Sequence, residues 1–292
     1  MEYLDTTGLN QTTIGLYKVD VCADTVWRGQ RITTVVATYP RIVHSEVMTH
    51  RRIVKNSSSS RAIPARKMLE QVTDTPFVPL RFGGSQPGMQ MSARNVNDAL
   101  RAWLNTRDDV RVSAKWMLEA GVHKSIINRM LEPWSWITVV MTATEWNNFF
   151  HLRRHPDADI HIHLLADMIY DAISASIPRE SDLHMPFISL TVNPDYLYRW
   201  TLSELASISA ARCARVSYLT HDGKQDFDAD FKLAEKLRGG SGGIGHWSPF
   251  EHFSNYNPTS VSPYMGWQSY RSMCVGHFVG GNVPVGQINE EN

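Results

Sequence analysis

A histidine, several cations and four consecutive serines share one short span, Thr49-His50-Arg51-Arg52-Ile53-Val54-Lys55-Asn56-Ser57-Ser58-Ser59-Ser60-Arg61-Ala62-Ile63-Pro64. Proline suits the first helical turn, where its missing N–H costs nothing, so the spacing predicts a helix over residues 64–72. The serines then lie just before a helix N-terminus, where unpaired N–H groups and the helix dipole favour an anion. Arg51 and Arg61 would add charge-assisted bonds to phosphate. The span reads as a phosphate-cradling turn. The competing reading is a serine-capped loop with solvated arginines, since serine is a common cap.

Other groupings carry less. His161 and His163 are two apart in a helical stretch, which points them in different directions, whereas helical metal pairs sit three or four apart. His246, Glu251 and His252 flank an apolar Pro-Phe segment but lack a third ligand at convincing spacing, so hydrogen-bonded structural histidines are expected there. No metal site is assigned. Arg129, Arg153 and Arg154 accompany Trp- and Phe-rich helices. Asn148 and Arg153 would border one cleft, or else the arginines form a solvated cationic face. No G-x-S-x-G elbow exposes a serine nucleophile.

The elements that must position these residues follow from pattern. Residues 17–27 and 31–37 are β-branched runs separated by Arg28-Gly29-Gln30 and read as a hairpin. Residues 41–52 read as a helix and 74–90 as a Pro/Gly-punctuated loop. From Ser92 the pattern turns helical through Val96, Leu100, Trp103, Val110, Ala114 and Met117, with Gly121 where a C′ glycine belongs. Further helices are predicted over 123–131, from Thr144 as cap to Arg154, onward from Pro156 to about residue 174, and over 202–216 and 228–237. Residues 135–141 read as the start of another helix. Residues 178–197 read as a connection between lobes, 221–224 as a turn and 239–243 as a flexible linker, with a Gly/Pro-rich tail after residue 252.

The 292 residues suit one large domain or two small ones; hydrophobic content is 42% and charged content 20%, as in ordinary globular chains. The formal net charge is zero, which argues against a polynucleotide partner and leaves a small phosphorylated ligand open. Cys22, Cys213 and Cys274 are widely spaced and form no CxxC pair. The N-terminus lacks a signal-peptide pattern and no apolar run reaches membrane-spanning length, so a soluble cytoplasmic protein without a membrane partner is expected.

The opening span resembles the signature RHRxxSxNExSxRY of the flavin-dependent thymidylate synthases. Thr49-His50-Arg51 stands on its RHR, with Asn56, Ser59 and Arg61 on the motif Asn, Ser and Arg. Ala214-Arg215-Val216-Ser217-Tyr218 is similar to the family's ARVSY. The stretch from Gly245 to His252 is similar to its GHxSPFEH, Arg129 to Pro133 to RxxLP, and Asn148 to Arg153 to NFLxLR. In the usual family the ARVSY and SPFEH blocks precede the RHR signature; here they follow it. The chain thus looks like a circular permutant of the phage-encoded kind: one catalytic domain over 1–292, with the signature and a helical lobe in 1–177 and the permuted segment in 198–292.

The resemblance implies an α/β (α+β) fold, an antiparallel sheet with a large helical lobe. It implies FAD, reduced by NADPH, and 5,10-methylenetetrahydrofolate giving a one-carbon unit to C5 of dUMP. By matched position, Glu46, Ser57, Ser59, Ser60, Arg61, Arg129 and Arg153 would hold dUMP, with Arg61 and Arg129 on its phosphate. Arg153 and Ser59 would act at the reacting pyrimidine. Thr49, His50, Arg51, Asn56, Thr142, Asn148, Arg153, Ser217 and His252 would line the flavin. The site would form between subunits of a homotetramer, in the cytoplasm of a host if the chain is phage-encoded. Thr49, Val54, Ser57 and Ala62 depart from the motif, Glu46 replaces a family Gln, Thr142 an Asn, and residues 158–162 the AQxEI stretch. These departures leave two further readings. One is a hydroxymethyltransferase acting on dUMP or dCMP; the other is a non-catalytic nucleotide-binding protein on the same fold.

Overall fold

The computed structural model describes residues 3–96, 98–188, 199–216, 226–239, 245–261 and 263–274. A short helix α1 (Gln11–Ile14) leads into strands β1 (Lys18–Trp27) and β2 (Gln30–Pro40). Arg28 and Gly29 both have positive φ, 48° and 78°. A two-residue type I′ turn needs that conformation, which is why glycine stands second in it. β2 continues to Pro40, three residues past the expected end at Ala37. The expected helix over 41–52 is only a 3₁₀ turn, Arg41–Val43, and α2 (His44–Met48). It ends because the Thr49 hydroxyl bonds back to the Glu46 carbonyl and Lys55 Nζ binds the carbonyls of His50 and Ile53, closing a turn into β3 (Val54–Ser57).

Helix α3 (Ala65–Asp74) follows, then the short hairpin β4 (Gly83–Gly84) and β5 (Ser92–Asn95). The helix expected from Ser92 therefore begins later, as α4 (Ala99–Glu119). Gly121 (φ 78°) ends α4 as predicted: its N–H reaches the Leu118 carbonyl and that of Val122 reaches Met117. After α5 (Lys124–Leu131), residues expected to begin a helix form β6 (Trp136–Ala143). The run Ile137-Thr138-Val139-Val140 is β-branched, with Ile137 and Val139 buried on one face and Val140 on the other, so the strand reading wins.

Helices α6 (Asn147–Arg153) and α7 (Ile160–Ala175) come next. Thr144 does not cap α6; its hydroxyl accepts the Met265 N–H. Short strands β7 (Arg179–Glu180) and β8 (Leu183–His184) precede α8 (Leu202–Arg215) and α9 (Phe227–Leu237). The tail is not featureless: β9 (Ser254–Tyr256) and β10 (Trp267–Ser269) pair, and α10 (Tyr270–Cys274) follows. The expected turn at 221–224 lies outside the described residues, as does most of the linker at 239–243.

The main sheet runs β3-β6-β2-β1-β7, antiparallel except for β7 on β1. The fold is mixed α/β, with a layer on each face of this sheet. One face carries Val35, Ala37, Tyr39, Ile137, Val139 and Met141, packed on Phe149, Phe150, Leu165 and Ile169 of α6 and α7. The other face carries Ile32, Val54 and Val140, covered by the C-terminal segment through Cys213, Val216, Tyr264 and Trp267. A satellite core joins α3, α4 and α5 around Met68, Val72, Ala114 and Ile127. Among the described residues no helix is long and apolar enough to cross a membrane.

Candidate functional site

The serine turn is built by alternation, the property of strand β3 that continues past its end. Ser58 prolongs the ladder with β6: its N–H donates to the Thr138 carbonyl (2.9 Å) and its Oγ accepts the Thr138 N–H (3.2 Å). Ser60 is buried, and its carbonyl accepts from Asn128 Nδ2 at 2.6 Å. Those two residues anchor the turn, which leaves Ser57, Ser59 and Arg61 to line a cavity of about 480 Å³. Ser60, expected to touch substrate, lies beneath the turn and outside that lining. Nor do the serines cap α3. Pro64 occupies its N-cap without a side-chain bond.

The far wall of the cavity comes from distant sequence: Ala214 at the end of α8, and His246, Ser248 and Pro249. Asn56 ties the walls together. Its Nδ2 donates to the Cys213 carbonyl (3.0 Å) and its Oδ1 accepts from Ser248 Oγ (3.1 Å). Asn56, expected to contact flavin, lines the cavity and at the same time clamps β3 to the C-terminal segment. The third wall is the start of α5. His123 caps this helix by accepting the Ser125 N–H, and Lys124 Nζ donates to the Ala62 carbonyl at 3.0 Å. Sequence reasoning missed both residues, and no motif flagged them.

A second constellation gathers around Arg153 at the end of α6. Its Nε donates to His50 Nε2 (2.9 Å), Nη1 to Glu46 Oε2 (3.2 Å) and Nη2 to Thr49 Oγ1 (3.4 Å). Because Nε2 accepts, the neutral His50 ring carries its proton on Nδ1. Burial, with the nearby Arg153 and Lys55 cations, pushes the His50 imidazole down to about 4. Burial and the charge of Asp159 raise the Glu46 carboxyl, against the pull of Arg153. The Phe149 ring meets His50 edge-on at 4.9 Å and fixes its plane. The sequence thus placed Thr49, His50, Glu46 and Arg153 in one site, and the fold does bring these four together. Arg51 and Asn148 are exposed nearby in sequence but do not join these contacts. Strand β3 leads from this cluster to the cavity.

Three expected site residues stand elsewhere. Thr142 and His252 are fully buried between sheet and C-terminal segment, in a chain of short polar contacts. Thr25 Oγ1 meets His184 Nδ1 (2.9 Å), His184 Nε2 meets Thr34 Oγ1 (2.7 Å), Thr34 meets Thr142 (2.6 Å) and Thr142 meets His252 Nδ1 (2.8 Å). Burial holds both imidazoles neutral, pushed down to about 3. Neither Thr142 nor His252 has exposed surface in this chain. Arg129 is exposed on α5 and outside the cavity. Five residues separate it from Lys124, about 140° around the helix, so the two cannot share a face. Ser217 lies outside the described residues.

Two further histidines make structural contacts. His161 pairs with Asp159 (2.8 Å) and accepts the Leu80 N–H (3.0 Å), while His163 lies 3.6 Å from Asp167. Among the described residues no group of three or more His, Cys, Asp or Glu is placed to hold a metal ion.

No family model and no curated protein matches the sequence. Among solved structures, the chain is similar to a UMP/dUMP methylase, PolB, from Streptomyces cacaoi bound with 5-Br dUMP. That likeness has 18% identity and a TM-score of 0.40, over 49% of this chain and 65% of that one. The same methylase with 5-Br UMP matches at 12% identity and TM-score 0.40, over 53% of this chain and 88% of that one. Thymidylate Synthase X from Helicobacter pylori with FAD and dUMP matches at 14% identity and TM-score 0.37, over 49% of this chain and 67% of that one. The chain thus spans just under two thirds of the length of the first of these.

Proposed function

We propose that the protein is a pyrimidine-nucleotide C5 transferase that uses flavin and folate, converting dUMP to dTMP. The observation that carries this reading is the cavity itself. It unites Ser57, Ser59 and Arg61 with Ala214 and Ser248, so that three of the sequence blocks resembling flavin-dependent thymidylate synthases share one wall system across some 190 residues. A cavity of this size is ample for a nucleoside monophosphate. Ser57 and Ser59 would offer hydroxyls, and Arg61 a guanidinium, to its phosphate.

The donor chemistry near His50 suits FAD. Arg51 is an exposed cation, and Arg153 is held in a fixed orientation by three acceptors. When bound, the flavin would take a hydride from NADPH and supply it to the one-carbon unit delivered by methylenetetrahydrofolate. Thr49, His50 and Arg51 would hold it, with Asn148 on the adjoining face of α6. The work of the chain is orientation and electrostatics. Arg153 would stabilise negative charge that develops on the pyrimidine, its aim set by Glu46, His50 and Thr49. Arg129, exposed on α5, would serve the site of a neighbouring subunit in a homotetramer. The permuted order is compatible with one catalytic unit, because the C-terminal segment covers the same sheet whose edge strand carries the serine turn.

The test is incubation of purified protein with dUMP, methylenetetrahydrofolate and NADPH, followed by mass analysis of the nucleotide. A methyl product is expected, together with a flavin absorbance that dUMP and NADPH bleach. A 5-hydroxymethyl product would convert the assignment to the hydroxymethyltransferase. A colourless protein that leaves dUMP unchanged would overturn it.

A further inference from the structure

The cavity has an unbalanced charge. Among the described residues that line it, none is Asp or Glu, while Arg61 and Lys124 both bring cations to its wall. The Lys124 ammonium makes one bond, to the Ala62 carbonyl, and has no carboxylate partner among the described residues. An ammonium has three donors, so at least one remains to be directed elsewhere. Its position is fixed from two sides. The Ala62 carbonyl belongs to the turn that carries Arg61, and the His123 cap holds the first turn of α5. Cations gathered without acids in a concave site call for a small, multiply charged anion.

We propose that Lys124 is a substrate-binding residue of this cavity, contacting the same dianionic phosphate monoester as Arg61, Ser57 and Ser59, with His123 as the residue that positions it. This rests on the reading of the cavity as a nucleotide site and adds a residue that the family resemblance does not assign. Within one chain, α5 gives this cavity Lys124 and turns Arg129 away.

The test is calorimetric titration of dUMP into wild type, Lys124→Ala and Lys124→Arg, at about 0.1 M and about 1 M salt, where the screening length falls from about 10 to about 3 Å. Loss of one charge-assisted bond predicts about ten- to a hundredfold weaker binding in Lys124→Ala at low salt. The deficit shrinks at high salt, and Lys124→Arg binds within a few-fold of wild type. A purely structural role would weaken binding equally at both salts and lower the melting temperature, which would overturn the proposal. Wild-type affinity in Lys124→Ala would overturn the role of Lys124 and leave the nucleotide site standing. A wild type that binds no dUMP would overturn the nucleotide site and Lys124 with it.

Discussion

Arg153 shows how one side chain acquires a direction. A free arginine samples many rotamers, but here each arm of the guanidinium meets a different acceptor: His50, Glu46 and Thr49. Arg153→Ala should cut turnover of dUMP by about 10²- to 10³-fold, the usual cost of losing a preorganised donor. Steady-state assays with unchanged far-UV circular dichroism check this; equal activity would remove Arg153 from the chemistry. The buried histidines make a separate claim. An unfolded imidazole titrates near 6.5, while His184 and His252 in the fold are pushed down to about 3. Between those values the unfolded chain binds the extra protons, so stability is fully present above about pH 6.5 and is lost as pH falls toward 3. The loss is at most about 1.4 kcal/mol per pH unit for each group. Urea unfolding from pH 7 to 5 should show this slope, and a His184→Gln protein should show a shallower one. Identical slopes would mean that His184 is not held neutral.

At the scale of elements, the site depends on where segments stop. α4 must end for α5 to begin at the cavity, and Gly121 makes that reversal in a left-handed conformation. Gly121→Ala should cost about 1 kcal/mol in chemical denaturation, because a Cβ is strained there even though the surrounding space is open. A neutral effect would show that the turn relaxes without penalty. β6 is the other decisive element. Thr138 on this strand receives the serine turn on one edge, while Thr142 four residues on locks into the polar chain across the sheet. One strand therefore fixes both the height of Ser57 and Ser59 and the seat of the C-terminal segment.

On the scale of the whole molecule, Asn56 is the joint between the two halves. It is buried and spans from β3 to the Cys213 carbonyl and to Ser248, 192 residues away. Removing its amide strands buried partners, at about 1–3 kcal/mol. Asn56→Ala should therefore lower the melting temperature and weaken dUMP binding together, since the cavity walls lose their tie. Unchanged stability in differential scanning calorimetry would refute the clamp.

The hairpin around Gly29 and the stop at Gly121 were legible in the sequence, because each is a local matter of residue type and spacing, whereas the serine span did not tell which of its serines would face the cavity. The extent of α7, α8 and α9 followed for the same reason, from apolar periodicity and breakers. Tertiary structure alone decided that residues 136–143 are a central strand, since an apolar run buried on all sides has no period to read. It decided that Thr142 and His252 are buried between the sheet and the C-terminal segment, and that α5 offers Lys124 rather than Arg129 to the cavity. Such outcomes depend on which surfaces meet across the sheet, and contacts between residues a hundred or more apart leave no mark in local spacing.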